Sequence, residues 1–270
     1  MQGSHSAAPI GFPRPGKGLK AVLLGLLTIW LIFALAMNWA GAAGDSFLAL
    51  CGNTERVLEG QVWRLLTASF LHMPSGTIFH ILSVLIGLYF LSPSLESEWG
   101  TKRFLRFLLL TGVLAYATQV LVAWALPARV AERLVPEYYF GAMPVVEAVA
   151  IAWALSFKGR TVNLFFVLPV SSRGLILFVI GMSVMYLIAG ATPPSGHVAP
   201  FAGMVYGWLL GGGTPSPLRR LYLKYRLSRL EQEARRDRDV RKKRAQSSGL
   251  RVIDGGQNER KGDGGGRTLH

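Results

Sequence analysis

Cysteine is almost missing from this chain. Cys51 stands alone among 270 residues, which excludes an intramolecular disulfide and any cysteine-rich metal centre; the lone thiol reads as a small apolar filler. Charge is scarce as well, at 16% of residues against 51% hydrophobic, and its uneven spread rules out an ordinary soluble domain. Residues 21–44 carry no charge, 65–95 none apart from histidines, 107–128 none, and 138–157 only Glu147. Residues 174–218 hold two span lengths broken at Ala191-Thr192-Pro193-Pro194-Ser195-Gly196. A helix needs roughly 20 apolar residues to cross a bilayer, so six spans are expected. The first is too long, and lacks the small-residue cleavage site, for a removable signal peptide.

Acidic residues are the scarcer sign, 15 against 29 Lys and Arg, for a formal net charge of +14. Arg14, Lys17 and Lys20 precede the first run; Lys102, Arg103 and Arg106 follow the second; Lys158 and Arg160 follow the fourth. The tail over 214–270 has 16 basic and 7 acidic residues, so about nine of the net charge lies there. Connections on the other side mix signs, as in Asp45, Glu55, Arg56, Glu59 and Arg64, or Arg129, Glu132, Arg133 and Glu137. The excess of basic residues on one side predicts both termini in the cytoplasm, which needs an even number of spans.

The expected organisation is an all-α membrane protein with N-in/C-in topology. Residues 1–19 form a Gly-, Pro- and Ser-rich disordered lead, 20–213 a six-helix membrane domain, and 214–270 a basic cytoplasmic tail. That tail is expected to be helical over 217–245 and disordered over the Gly-rich 255–270. Beside a membrane span, its Lys and Arg suit anionic lipids, at about 1 kcal/mol each near the surface, rather than nucleic acid. The stretch 57–66 is amphipathic, and Trp63 beside Arg64 reads as an interfacial anchor. Residues 162–170 read as a re-entrant or interfacial piece. A compact six-span core is expected in a bacterial inner (plasma) membrane.

Few residues are able to carry chemistry. His5 and His270 lie in the ends, leaving His72, His80 and His197, all expected near the non-cytoplasmic ends of spans two and six. Glu147 is an ionisable group inside a span and so a functional-site hypothesis. It lies four residues beyond Met143 and shares its helix face, and should point inward to a histidine, a backbone donor or water. Glu147, His80 and His197 would together make a small polar cavity. His and Glu are acceptable zinc ligands, but no tight ligand spacing is present, so neither metal nor cofactor is expected. Gly203 and Gly207, extended by Ala199 and Gly211, form the small-xxx-small pattern of closely packed membrane helices.

Five pieces in order resemble the rhomboid intramembrane serine proteases, over about residues 20–213. Trp63-Arg64 resembles the family's first-loop pair. Phe70-Leu71-His72 followed by His80-Ile81-Leu82 resembles the approach to its second helix, and Glu96 with Gly100 that helix's cytoplasmic end. Gly141-Ala142-Met143-Pro144 lies where the family writes Gly-x-Ser-Gly. Val198-Ala199-Pro200 with Gly203 and Gly207 lies where it writes Ala-His-x-x-Gly-x-x-x-Gly.

The resemblance implies what has been lost. The nucleophile position is Met143, the general-base position Pro200, and an oxyanion-binding asparagine position Val84; only His80 survives from that set. Nucleophile, base and preorganised donors are all needed for the family's chemistry. The resemblance therefore implies a catalytically degenerate member, a pseudoprotease or Derlin-type protein that binds transmembrane segments of client proteins in membrane-protein regulation or quality control. One alternative keeps a serine endopeptidase with a displaced nucleophile, Ser195 served by His80 or His197; Ser75-Gly76, and Ser171 and Ser172, are poorer choices. The other alternative is a membrane hydrolase using Glu147, His80 and His197, with or without a metal.

Overall fold

The computed structural model describes residues 14–74, 78–157, 159, 161–164, 168–211 and 217–247. The readings above that fall on 1–13, Ser75-Gly76, Lys158, Arg160 and 255–270 lie outside the described residues. Eleven helices follow in order among them: α1 (Lys17–Asn38), α2 (Gly44–Leu50), α3 (Thr54–Leu58), α4 (Arg64–Thr67), α5 (Phe79–Trp99), α6 (Thr101–Ala125), α7 (Ala128–Leu134), α8 (Met143–Ser156), α9 (Ser172–Ala189), α10 (Val198–Gly211) and α11 (Pro217–Ser247). A single turn of 3-10 helix, Ala68–Phe70, follows α4.

Four of these, α1, α5, α6 and α9, are long and apolar enough to cross a membrane. At 1.5 Å per residue the 25 residues of α6 reach about 38 Å. The remaining apolar helices, α8 and α10, have only 14 residues each, or about 21 Å. That falls short of a hydrocarbon layer about 30 Å thick. They are also the central pair. Positions 144–154 of α8 are all buried, so this helix needs no lipid-facing length.

Residue size explains the seam between them. A Cβ on Gly203 would overlap the Pro144 carbonyl, and one on Gly207 the Ala148 carbonyl. The two backbones touch, as the small-xxx-small pattern predicts, and they run parallel with their first turns at the same end. Val84, Leu88, Ala148, Val149 and Ala152, all at most 1% exposed, fill the core around this pair.

At the opposite end of the bundle Glu96 is 4% exposed. It accepts from the Gly18 N–H at 2.8 Å, the Leu19 N–H at 3.0 Å and the Thr101 hydroxyl at 2.7 Å. The first amides of a helix have no intrahelical acceptor and carry partial positive charge, so this carboxylate fixes where α1 begins. The helix accordingly starts at Lys17, inside the stretch 1–19 read as a disordered lead. Gly100 joins α5 directly to α6.

Between α1 and α5 the amphipathic stretch 57–66 is divided between the end of α3, a connecting turn and the start of α4. Trp63 is half exposed, as an interfacial anchor should be, whereas Arg64 is buried at 6%. Its guanidinium donates to the carbonyls of Leu48 at 2.8 Å and Cys51 at 2.7 Å and to Gln61 Oε1 at 2.7 Å. Arg64 is thus a brace inside the loop, where the sequence had marked it only as an anchor. Cys51 is completely buried beside it; burial pushes the thiol up to about 12, with Arg64 opposing, which leaves an inert apolar filler.

One element departs from the all-helical reading. Residues 161–164 and 168–171 pair as an antiparallel two-stranded hairpin (β1, β2), with Thr161 opposite Ser171 and Val162 opposite Val170. The Val-rich stretch read as an interfacial piece satisfies its backbone by pairing with itself. Ser171 then caps α9 by accepting from the Gly174 N–H.

The chain divides into two compact units after Arg220. In the second, α11 runs 31 residues in all and ends at Ser247. The described side chains from Leu221 to Arg244 are exposed, the apolar Leu221, Tyr222, Tyr225 and Leu230 at near-helical spacing among them.

Candidate functional site

Six of the residues singled out in the sequence, His80, Met143, Glu147, Ser195, His197 and Pro200, line one cavity of about 590 Å³. Its walls come from α5 through Ser83, Gly87 and Phe90, and from α9 through Leu175, Phe178 and Met182; α8 and the start of α10 form its back. Val84 does not reach it, being fully buried in the core. Trp63, Arg64, Glu96 and Gly100 lie elsewhere, and of these Arg64 and Glu96 brace the scaffold through buried hydrogen bonds.

The floor of the site is irregular backbone, which is tolerated at membrane depth only where protein satisfies it. The Tyr139 N–H donates to Gly52 O at 2.9 Å, that of Phe140 to Pro194 O at 3.0 Å, and that of Gly141 to Ala68 O at 2.8 Å. The Tyr116 hydroxyl donates to Gly141 O at 2.6 Å, and the Ala142 N–H reaches His72 Nε2 at 3.4 Å. Four separate segments therefore fix the strand of chain that leads into α8. Gly141 has φ +110°, a region reserved for glycine, and a Cβ there would meet the His80 ring at 2.5 Å. His80 in turn lies 4.9 Å from His72, ring centre to ring centre.

The first turns of α8 and α10 meet at this floor. Met143 opens α8, with Pro144 next. Pro200 is the third residue of α10, where its missing N–H removes nothing from the helix, because first-turn amides have no internal partner. Gln119 of α6 supplies one such amide with a partner, its Oε1 accepting from the Ala199 N–H at 3.0 Å. Proline at 200 is thus compatible with the fold while offering neither a base nor a donor. A thioether at 143 is no nucleophile toward a carbonyl.

The polar groups that remain are spread rather than paired. Glu147 Oε1 accepts from the Ser183 hydroxyl of α9 at 3.0 Å, and not from either histidine. Both His80 nitrogens, the Ser195 hydroxyl and Glu147 Oε2 are buried without a hydrogen-bond partner among the described residues. Among those residues no three His, Cys, Asp or Glu side chains converge as metal ligands. Sequence reasoning had missed three contributors: Tyr116, Gln119 and Ser183. Gln119 left a signal, as the one amide side chain within the uncharged run 107–128. Ser183 left none, since serine is common in membrane helices.

Membrane-crossing helices around a shared cavity, with two short helices at the centre, define an integral multi-pass membrane protein. The Rhomboid domain model matches residues 59–214, more than half of the chain, and the chain belongs to the rhomboid family. It is also similar to RHOMBOID-like protein 12, mitochondrial, of Arabidopsis thaliana, with 26% identity over 203 residues. That match covers 71% of this chain and 56% of the relative, so the chain spans little more than half of that protein's length.

Proposed function

We propose that this rhomboid-family protein does not cleave peptide bonds and instead holds transmembrane segments of client proteins in the cleft between α5 and α9. One observation carries the reading: Met143 and Pro200 occupy the cavity at the meeting point of α8 and α10, where the family resemblance calls for a nucleophile and a base. The cleft supports the binding half. It is lined by apolar groups of both helices with a few polar ones, the composition of a ligand site. In this reading residues 20–213 make six spans with both ends in the cytoplasm, α8 and α10 being completed by buried irregular backbone. The basic tail lies on anionic lipid, and the membrane is a bacterial inner membrane.

The test is reconstitution in lipid nanodiscs with a photo-reactive residue at Phe178 in the cleft or at Leu31 on α1, and a synthetic transmembrane peptide. Crosslinks from position 178, few from position 31, and intact peptide after incubation are expected. Peptide cleavage would overturn the inactive half, and equal crosslinking at both positions the binding half.

A second reading has one observation in its favour, since Ser195, His80 and His197 share the cavity. In it Ser195 is a displaced nucleophile. A fluorophosphonate that labels the protein, but not its Ser195→Ala variant, would establish it; absence of labelling is the outcome the first reading expects.

A further inference from the structure

Glu147 is the group in the cavity that the fold does not explain. Its side chain is 7% exposed, Oε1 is held by Ser183, and Oε2 is buried with no partner. Among the described residues the lining holds no Lys or Arg; its other polar groups are Ser83, Tyr186, Thr192, His197, His80 and Ser195, and the His80 nitrogens and the Ser195 hydroxyl are themselves unpartnered. A carboxylate inside a membrane protein ordinarily faces a cation, a donor or water, and leaving it without one is costly. Here the carboxyl is held by a serine on α9, and Glu147 lines a mostly apolar cavity that offers it no cation. Phe90, Leu175, Phe178 and Met182 in the same lining suit the aliphatic stem of a long basic side chain.

We infer that, given the client-binding reading above, the cleft selects transmembrane segments bearing a lysine or arginine, whose cationic group donates to Glu147 Oε2. The position of that basic residue is set by the helix. Glu147 is the fifth residue of α8, about 6 Å along the axis from Met143. The client's cation therefore sits level with the fifth residue of α8, about 6 Å deeper than the start of that helix, which itself lies below the bilayer surface. A client carboxyl at the same level supplies no cation and gains no ion pair with Glu147.

The experiment uses the full chain in phosphatidylcholine nanodiscs and three otherwise identical Leu/Ala transmembrane peptides with Lys, Leu or Glu placed to lie level with Glu147, in the half of the bilayer where α8 begins. Binding is read by fluorescence transfer, together with a fourth peptide carrying the Lys at its other end. The Lys peptide is expected to bind at least about tenfold more tightly than the Leu peptide, and the Glu peptide no more tightly than Leu. The Lys advantage is expected to vanish in Glu147→Gln, and to vanish for the displaced Lys with the unaltered protein, a comparison that needs no variant to fold. Equal binding of Lys and Leu peptides overturns the inference and leaves client binding standing. No binding of any peptide removes both. A Lys advantage that survives Glu147→Gln assigns the cation to another group and overturns the inference.

Discussion

Two carboxylates are buried in this bundle among the described residues, and their surroundings differ at every point. Glu96 receives three donors on its two oxygens, two of them backbone amides at the start of α1. Glu147 receives one donor on one oxygen and leaves the other bare beside a cavity. Burial is nearly equal, 4% and 7% exposed, so burial alone does not tell a structural acid from a site acid. Satisfaction does. A carboxylate whose every acceptor site serves the fold stabilises it, while one kept short of donors keeps capacity for something outside the chain.

Stability measurements on the two acids break the comparison most directly. Glu96→Ala leaves two buried amides and a hydroxyl without acceptors, and is expected to destabilise the protein by about 3 kcal/mol, read from denaturant titration in mixed micelles. Gly18→Leu attacks the same contact from the other side, because a Cβ there meets Thr101 at 2.6 Å and Glu96 Oε1 at 2.9 Å. A loss of about 2 kcal/mol is expected from overpacking. Ser183→Ala removes one interhelical bond to Glu147 and is expected to cost about 0.6 kcal/mol, the average for such bonds in membranes. Glu147→Gln keeps the shape and the bond to Ser183, and is expected to change stability by less than about 0.5 kcal/mol. A loss at Glu147 as large as that at Glu96 would erase the distinction between the two.

Much of this was legible in the chain beforehand. The uncharged runs located the four helices long enough to cross a membrane among the described residues, because burying apolar surface in lipid is a matter of composition and length. Met143, Pro200, Glu147, His80, His197 and Ser195 were all picked out, and they do surround one cavity. The bounds fared less well at Lys17, where the helix start depends on Glu96, 78 residues away from Gly18. The pairing of 161–164 with 168–171 was missed because Val- and Leu-rich stretches fit a strand or an interfacial piece equally well. Arg64 was taken for an anchor, since nothing local reveals that Leu48 and Cys51 carbonyls will close around it.

What the sequence determined by itself is therefore what depends on residue type and local period: a multi-pass membrane chain, the family to which it belongs, and the placing of a thioether and a proline at the openings of two helices. Only the tertiary structure decided which polar groups find partners. It gave Glu96 to α1, joined Glu147 to Ser183 instead of a histidine, and left Oε2 without a partner. Hydrogen bonding requires atoms from distant segments to meet within about 3 Å, and that meeting is fixed by packing rather than by spacing along the chain.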